Sequence, residues 1–237
     1  MNYLDPFKEQ SIESQLTSAR VVHLNRDTLF MSKVKKEIKE DARTRILKTA
    51  LKEFAIKGFN GVSTTEIAKV AGVTQPLIHY HFKTKEALWK AAVEQAFSWL
   101  QQDLEKLDSH LAQKELLIAF VRTLIAFAAK HPEVGQFLLR EGMQESVRLT
   151  WMTEQLLQPA FDLLFVYHQQ GVAEGWLQPI PFAQLSIIMT AISTHFFALA
   201  PMISQVYAVN SCDADQIELL TEFAVQLVEK MLIKPVS

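Results

Sequence analysis

The residues with the clearest chemical potential sit in one stretch, Gly58 to Leu88, which reads GFNGVSTTEIAKVAGVTQPLIHYHFKTKEAL. Gln75, Pro76, His79 and Tyr80 fall at i, i+1, i+4 and i+5, and on a helix that spacing makes one face. A glutamine can hydrogen-bond an adenine edge, and Pro76 or Leu77 can meet a thymine methyl. Thr64, Tyr80, His81 and Lys85 suit phosphate oxygens, and so does the amino end of a helix starting at Lys85. Thr74, opening the helix that carries this face, joins the candidate set. His79 and His81 are not a metal pair, because i and i+2 diverge around a helix. The chain has no G-x-S-x-G, G-x-G-x-x-G, P-loop or H-E-x-x-H pattern. The chemistry is therefore expected to be duplex recognition, with no catalysis, no cofactor and no metal.

The elements that must hold this face can be read locally. Ser63-Thr64-Thr65-Glu66 is a capping box, with Val62 and Ile67 placed for a hydrophobic staple. It predicts a short helix over about 64–71. Ala71-Gly72-Val73 turns the chain, with Gly72 able to take positive φ. Thr74 then starts a second short helix, about 75–82, where Pro76 is tolerable in the first turn. Thr84 caps a third helix beginning Lys85-Glu86. Eight-residue helices do not hold alone. Ile67, Ala68, Ala71, Val73, Ile78 and Phe82 are expected to pack them on a preceding helix. That helix carries the stripe Ile46, Leu47, Ala50, Leu51, Phe54 and Ala55 and stops at Lys57-Gly58. Two short helices about a tight glycine turn make a helix-turn-helix.

At this point the sequence resembles the tetracycline-repressor (TetR) family of bacterial transcription regulators. The matching residues are Ile46-Leu47, Ala50, Phe54, Gly58-Phe59, Ser63-Thr64, Ile67-Ala68, Ala71-Gly72-Val73, Tyr80-His81-Phe82 and Lys85-Glu86-Ala87-Leu88. The resemblance implies a recognition helix in the major groove, with backbone contacts from Tyr80, His81 and Lys85. It also implies dimerisation through the last two long helices, ligand-driven release from DNA by a pendulum-like motion, and repression. The pattern departs at Pro76, where the family often has Gly, and at His79, where Tyr is common.

Charge separates the chain into the same two parts. Residues 31–90 carry 13 Lys and Arg against 6 Asp and Glu, a net of +7; residues 91–237 carry 8 against 16, a net of −8. A basic head on an acidic, apolar body fits a polyanion partner for the head alone. Lys33, Lys35, Lys36 and Lys39 can steer toward the duplex or enter a groove. Lys48, Lys52 and Lys57 either join them or form a solvated helix face. Residues 1–30 have no sustained period; they read as a loose arm, an over-long start before Met31, or a contacting arm. The expected division is an extension at 1–40, a DNA-binding part at 41–88 and a body at 89–237.

The body reads as helices at about 114–130, 133–141, 146–170, 181–207 and 214–233, making an all-α protein. The last two carry Leu185, Ile188, Ile192, Phe196, Leu199 and Ile203, then Ile217, Leu220, Ala224, Leu227 and Met231. The first of them is apolar nearly all round and needs cover on more than one side, which a two-fold bundle supplies. The remaining helices are expected to enclose an apolar, aromatic pocket for a small hydrophobic effector, neutral or mildly anionic. Its candidate lining residues are Phe127, Phe137, Trp151, Phe165, His168 and His195. Phe97, Trp99, Phe120, Met143, Phe161 and Tyr167 are further candidates. Arg140-Glu141 reads as an ion pair, buried or superficial.

One cysteine, Cys212, fits a reducing compartment, and no secretory signal is visible. The expected location is the bacterial cytoplasm, on the nucleoid when bound. Gly175 to Cys212 contains no Asp, Glu, Lys or Arg. Its hydroxyls, Pro201 and lack of basic anchors nevertheless favour a buried helix over a membrane span. The sequence thus predicts a dimeric, ligand-released repressor of a pseudo-palindromic operator. The alternative is a DNA-bound adaptor whose body contacts another protein.

Overall fold

The computed structural model describes residues 42–232. The expectations for residues 1–40, including the four arm lysines, lie outside the described residues.

The apolar stripe of the first segment forms α1 (Ala42–Lys57), with all six of its predicted core residues buried. The helix-turn-helix follows as α2 (Thr64–Ala71) and α3 (Gln75–Phe82), and α4 (Lys85–Leu104) runs from it into the body. At 1.5 Å per residue, the twenty residues of α4 span about 30 Å. The body continues with α5 (Gln113–Lys130), α6 (Pro132–Gly142), α7 (Val147–Met152) and α8 (Gln158–Ala173). It ends with α9 (Phe182–Ala198), α10 (Ala200–Tyr207) and α11 (Ala214–Leu227). No strand occurs among the described residues.

Two expected long helices are interrupted, each at a proline, and the last, expected as 214–233, passes at Leu227 into a π turn, Val228–Leu232. The segment expected as 146–170 has a wide π turn, Thr153–Leu157, between α7 and α8. Pro159 lies just beyond it. A proline inside a helix offers no amide to the carbonyl four residues back, and its ring crowds that carbonyl; the wide turn opens the ladder at that point. The segment expected as 181–207 breaks at Leu199, and α9 and α10 are bent by 71°. Pro201 is the cause by the same physics. The carbonyl of Ala198, the last residue of α9, accepts a hydrogen bond from the Gln136 amide of α6 (3.2 Å). No single helix among the described residues is long and apolar enough to cross a membrane.

The packing has two cores. One joins α1, α2 and α3 to the first half of α4 and to Phe127, Val134, Phe137 and Met152 of the body. The other unites Val121, Ile125 and Ala128 of α5 with Phe197, Ala224 and Val228. The boundary expected at 88/89 therefore falls inside α4, where Leu88, Trp89, Ala92 and Val93 are all buried in one continuous core. Helix α6 is wedged between α1 and α9. Its approach to α9 depends on Gly135, whose absent Cβ would lie 3.3 Å from the Cβ of Ala198.

Gly72 closes α2 in the left-handed region (φ 64°), and a Cβ there would meet nothing within 4 Å. The cost of Gly72→Ala is thus conformational alone, about 1–2 kcal/mol. Gly142→Ala also meets open space but has no positive φ, so it should be neutral or stabilising by up to about 1 kcal/mol. Denaturant unfolding of the two variants checks the contrast; equal effects would contradict it.

Candidate nucleic-acid interface

The helix-turn-helix is fixed by caps that use little of its outer surface. The Ser63 amide donates to Glu66 Oε2 (2.7 Å), and the Glu66 amide donates to Ser63 Oγ (3.1 Å). Val62 and Ile67 are both buried, completing the staple. Thr84 Oγ1 accepts from the Ala87 amide (3.0 Å). Thr74, by contrast, occupies the N-cap position of α3 without a side-chain capping bond. Its hydroxyl remains available for an outside partner.

Ile78 and Phe82 anchor α3 in the core, so the opposite face is forced outward. Gln75, Pro76, His79 and Tyr80 are exposed there, Tyr80 to 71%. An open groove of about 720 Å³ lies beside this face. Thr64, Gln75, Pro76, His79 and Lys85 line it together, with five of the eight predicted residues on one concave surface. Tyr80, His81 and Thr74 lie outside the lining; the Tyr80 and His81 rings meet edge to face at 5.2 Å.

Lys83 and Asn60 also line the groove and were not singled out from the sequence. Lys83 is the unusual one. It ends α3 with φ 59° and ψ −49°, a conformation costly for a residue with a side chain. It places its ammonium 5.7 Å from the centre of the Tyr80 ring. Its signal was a lysine directly between Phe82 and the cap Thr84. Of the α1 lysines, Lys57 pairs with Glu53 (2.6 Å), and Lys48 lies over the Trp99 ring at 6.0 Å.

Lys85 is half-buried rather than fully extended into solvent, with its ammonium 4.6 Å from the centre of the Phe59 ring. Burial and the nearby Arg148 charge push its pKa down, while Glu66 opposes them. The Arg148 guanidinium lies over the same Phe59 ring at 4.2 Å and reaches the buried Glu141 carboxylate (3.4 Å). Arg140 and Glu141 are therefore not paired with each other, contrary to the expected ion pair. Arg140 instead donates from Nε to the Ala55 carbonyl (2.9 Å) and from Nη2 to the Ile56 carbonyl (2.7 Å). These are last-turn carbonyls of α1, which lack helical partners and carry the negative end of the helix dipole.

A second concavity, about 550 Å³, lies inside the body. Phe127 and His168 line it, as do Phe97, Phe120, Phe161 and Tyr167. Phe137, Trp151, Phe165 and His195, also expected as lining, lie outside this concavity. Phe137 and Trp151 pack on Trp89 at 5.4 and 5.8 Å, in the core beneath the head. Phe165 packs edge to face on Phe182 at 5.3 Å, and His195 Nδ1 lies 3.2 Å from the Thr194 hydroxyl. Trp99 stacks on His131, and Met143 is exposed. Val134, Gly135 and Leu138 of α6 complete the cavity wall, so α6 touches cavity, head and the α9–α10 break.

Residues 46–92 match the family described as bacterial regulatory proteins, tetR family, and residues 114–228 match the Tetracyclin repressor-like C-terminal domain. The HTH-type transcriptional regulator YdgC of Bacillus subtilis (strain 168) is 27% identical over 64% of this chain and 84% of its own length. The HTH-type transcriptional repressor NicS of Pseudomonas putida is 31% identical over 44% of this chain and half of its own. A transcriptional regulator from Saccharomonospora viridis, solved in complex with choline, superposes with TM-score 0.58 at 16% identity. That superposition covers 82% of this chain and 98% of the other.

The capping box carries a titration. Hydrogen bonds from the Ser63 backbone and side chain hold the Glu66 carboxyl below its ordinary value of 4.5. A carboxyl depressed in the folded state stabilises above its unfolded pKa and loses that contribution as pH falls through the folded one. Wild-type protein should therefore lose stability on acidification below about pH 4 more steeply than Glu66→Gln. Thermal melts at a series of pH values test this, and parallel curves for the two proteins would contradict it.

Proposed function

Because the chain belongs to the TetR family, it is a DNA-binding transcription regulator, and we propose that it is a dimeric repressor released from a pseudo-palindromic operator by a small effector. The carrying observation is the outward face of α3, exposed beside a groove while its other face is buried in the head core. Gln75, Pro76 and His79 read base edges in this proposal. Thr64, Thr74, Tyr80, His81 and Lys85 meet phosphates, and Lys83 joins them. The operator reader is residues 41–88, and the effector-binding and dimerising body is 89–237. Repression is supported by the name of NicS and by the description of the matching C-terminal domain family. The setting is the bacterial cytoplasm, with the protein on the nucleoid when bound.

The dimer uses the helices at 182–207 and 214–227. Ile187, Ile188, Met202, Val206 and Tyr207 are exposed on α9 and α10, as are Leu219 and Phe223 on α11. Apolar surface of this extent on consecutive elements is the signature of an interface. The solved neighbour holding choline supports a small-molecule body, and the 550 Å³ cavity here favours that reading over the protein-adaptor alternative. Release follows from linkage: a ligand preferring a conformation with misplaced recognition helices lowers operator affinity by its differential affinity. Helix α6 is the mechanical route, since it walls the cavity and holds the end of α1 through Arg140.

Selection of duplexes from a random pool should enrich an inverted repeat with half-sites about one helical turn apart or a simple multiple. Tyr80→Ala should weaken all sequences together, and His79→Ala should change preference at particular bases. Enrichment of no sequence at low salt would overturn the reading. Phe223→Glu places a charge in the apolar face and should convert the dimer to monomer in light scattering, with the fold retained by circular dichroism. A Phe223→Glu protein that remains dimeric would remove α11 from the interface.

A further inference from the structure

The body cavity has a composition that restricts what can occupy it. None of its lining residues is Asp, Glu, Lys or Arg. The wall is mainly aliphatic and aromatic, and most of its polar groups already have partners. Thr190 donates to the Ser186 carbonyl and Thr194 to the Thr190 carbonyl, both at 2.8 Å. Ser186 donates to the Ala183 carbonyl (3.0 Å), and Tyr167 donates to the Gln113 carbonyl. His131 stacks on Trp99 and faces Glu133 at 3.6 Å.

His168 is different. It is only 6% exposed, and neither ring nitrogen has a hydrogen-bond partner. The Ile180 backbone favours its protonated form without meeting hydrogen-bond geometry, but burial is the larger influence and pushes the pKa down. The ring is accordingly neutral near pH 7, offering one donor and one acceptor. A buried polar group without a partner is costly, and a ligand in the cavity is one partner that would complete it.

We propose that the cavity binds an uncharged, chain-like amphiphile whose hydroxyl or amide head pairs with His168. The inference rests on reading the body as the effector-binding part. Size follows from volume. A methylene occupies about as much space as a water molecule in the liquid, ~30 Å³, so the void has room for on the order of eighteen non-hydrogen atoms. Charge follows from the wall. A carboxylate or ammonium buried there would lose hydration with no opposite charge to replace it, a penalty that apolar contacts do not repay.

The test uses the full chain and three ten-carbon probes below their micelle concentrations at pH 8: 1-decanol, decanoate and decyltrimethylammonium. Calorimetry should show decanol binding at least about tenfold more tightly than either ion. His168→Leu should weaken decanol at least about fivefold, and His168→Gln, which keeps a hydrogen-bonding head, should restore most of it. Unliganded His168→Leu should melt no lower than wild type, because removing an orphaned polar group relieves a cost. Tighter binding of either ion, no decanol binding, or equal decanol affinity in His168→Leu would overturn the proposal. A His168→Leu protein that melts lower or fails to fold would make His168 structural and overturn it as well. Operator binding is measured in parallel. Release by decanoate but not decanol would sink the ligand class and leave the regulator standing. Failure to find an operator would sink the regulator reading, while calorimetry still decides the ligand class.

Discussion

One guanidinium ties the end of α1 to the body. Arg140 projects from the body and donates two hydrogen bonds to the Ala55 and Ile56 carbonyls at the end of α1. A helix end exposes carbonyls without partners and a concentrated negative potential, so a cation with a planar fork of donors is the natural group to close it. Charge-assisted bonds of this kind are directional, which a carbon-to-carbon contact is not. The continuous core beneath it, Trp89 against Phe137 and Trp151, supplies cohesion between head and body. Arg140 supplies registry.

This division of labour explains why α6 is short and heavily used. One side is cavity wall at Val134, Gly135 and Leu138. Gln136 donates to the last carbonyl of α9, and Arg140 satisfies the carbonyls freed where α1 ends. Both polar contacts go to backbone groups that regular helix geometry leaves unpaired. A displacement of α6 by a ligand would therefore be felt at the head and at the α9–α10 bend without passing through a flexible loop. The Glu141–Arg148–Phe59 contacts beside Lys85 add a second, charged connection between body and head.

What was legible in the sequence was what local chemistry determines. The Ser63–Glu66 box, the Gly72 turn and the Thr84 cap need only neighbours within a few residues, and all three form as read. The outward face of α3 followed because Ile78 and Phe82 leave no other orientation. Periodicity also gave the order of the helical segments, though not the breaks within them. It did not give partners. Phe137 and Trp151 look like pocket residues as aromatic types, but only the folded chain brings them onto Trp89. The tie between Arg140 and α1 spans 85 positions and has no local signature. The breaks at Pro159 and Pro201 were visible in principle. Each proline lies inside an apolar run whose helical period continues on both sides of it, so periodicity alone carries the helix through.

The most direct test of this account compares Arg140→Ala with wild type on two duplexes, the full palindrome and an isolated half-site. Paired heads gain affinity only if both engage at once, a gain of about a hundredfold or more that is lost when geometry fails. If Arg140 sets the heads, palindrome affinity falls by at least about tenfold while half-site affinity stays within about twofold of wild type. Equal losses on both duplexes would mean that Arg140 merely stabilises the head. No loss on either would contradict the claim that it holds head to body.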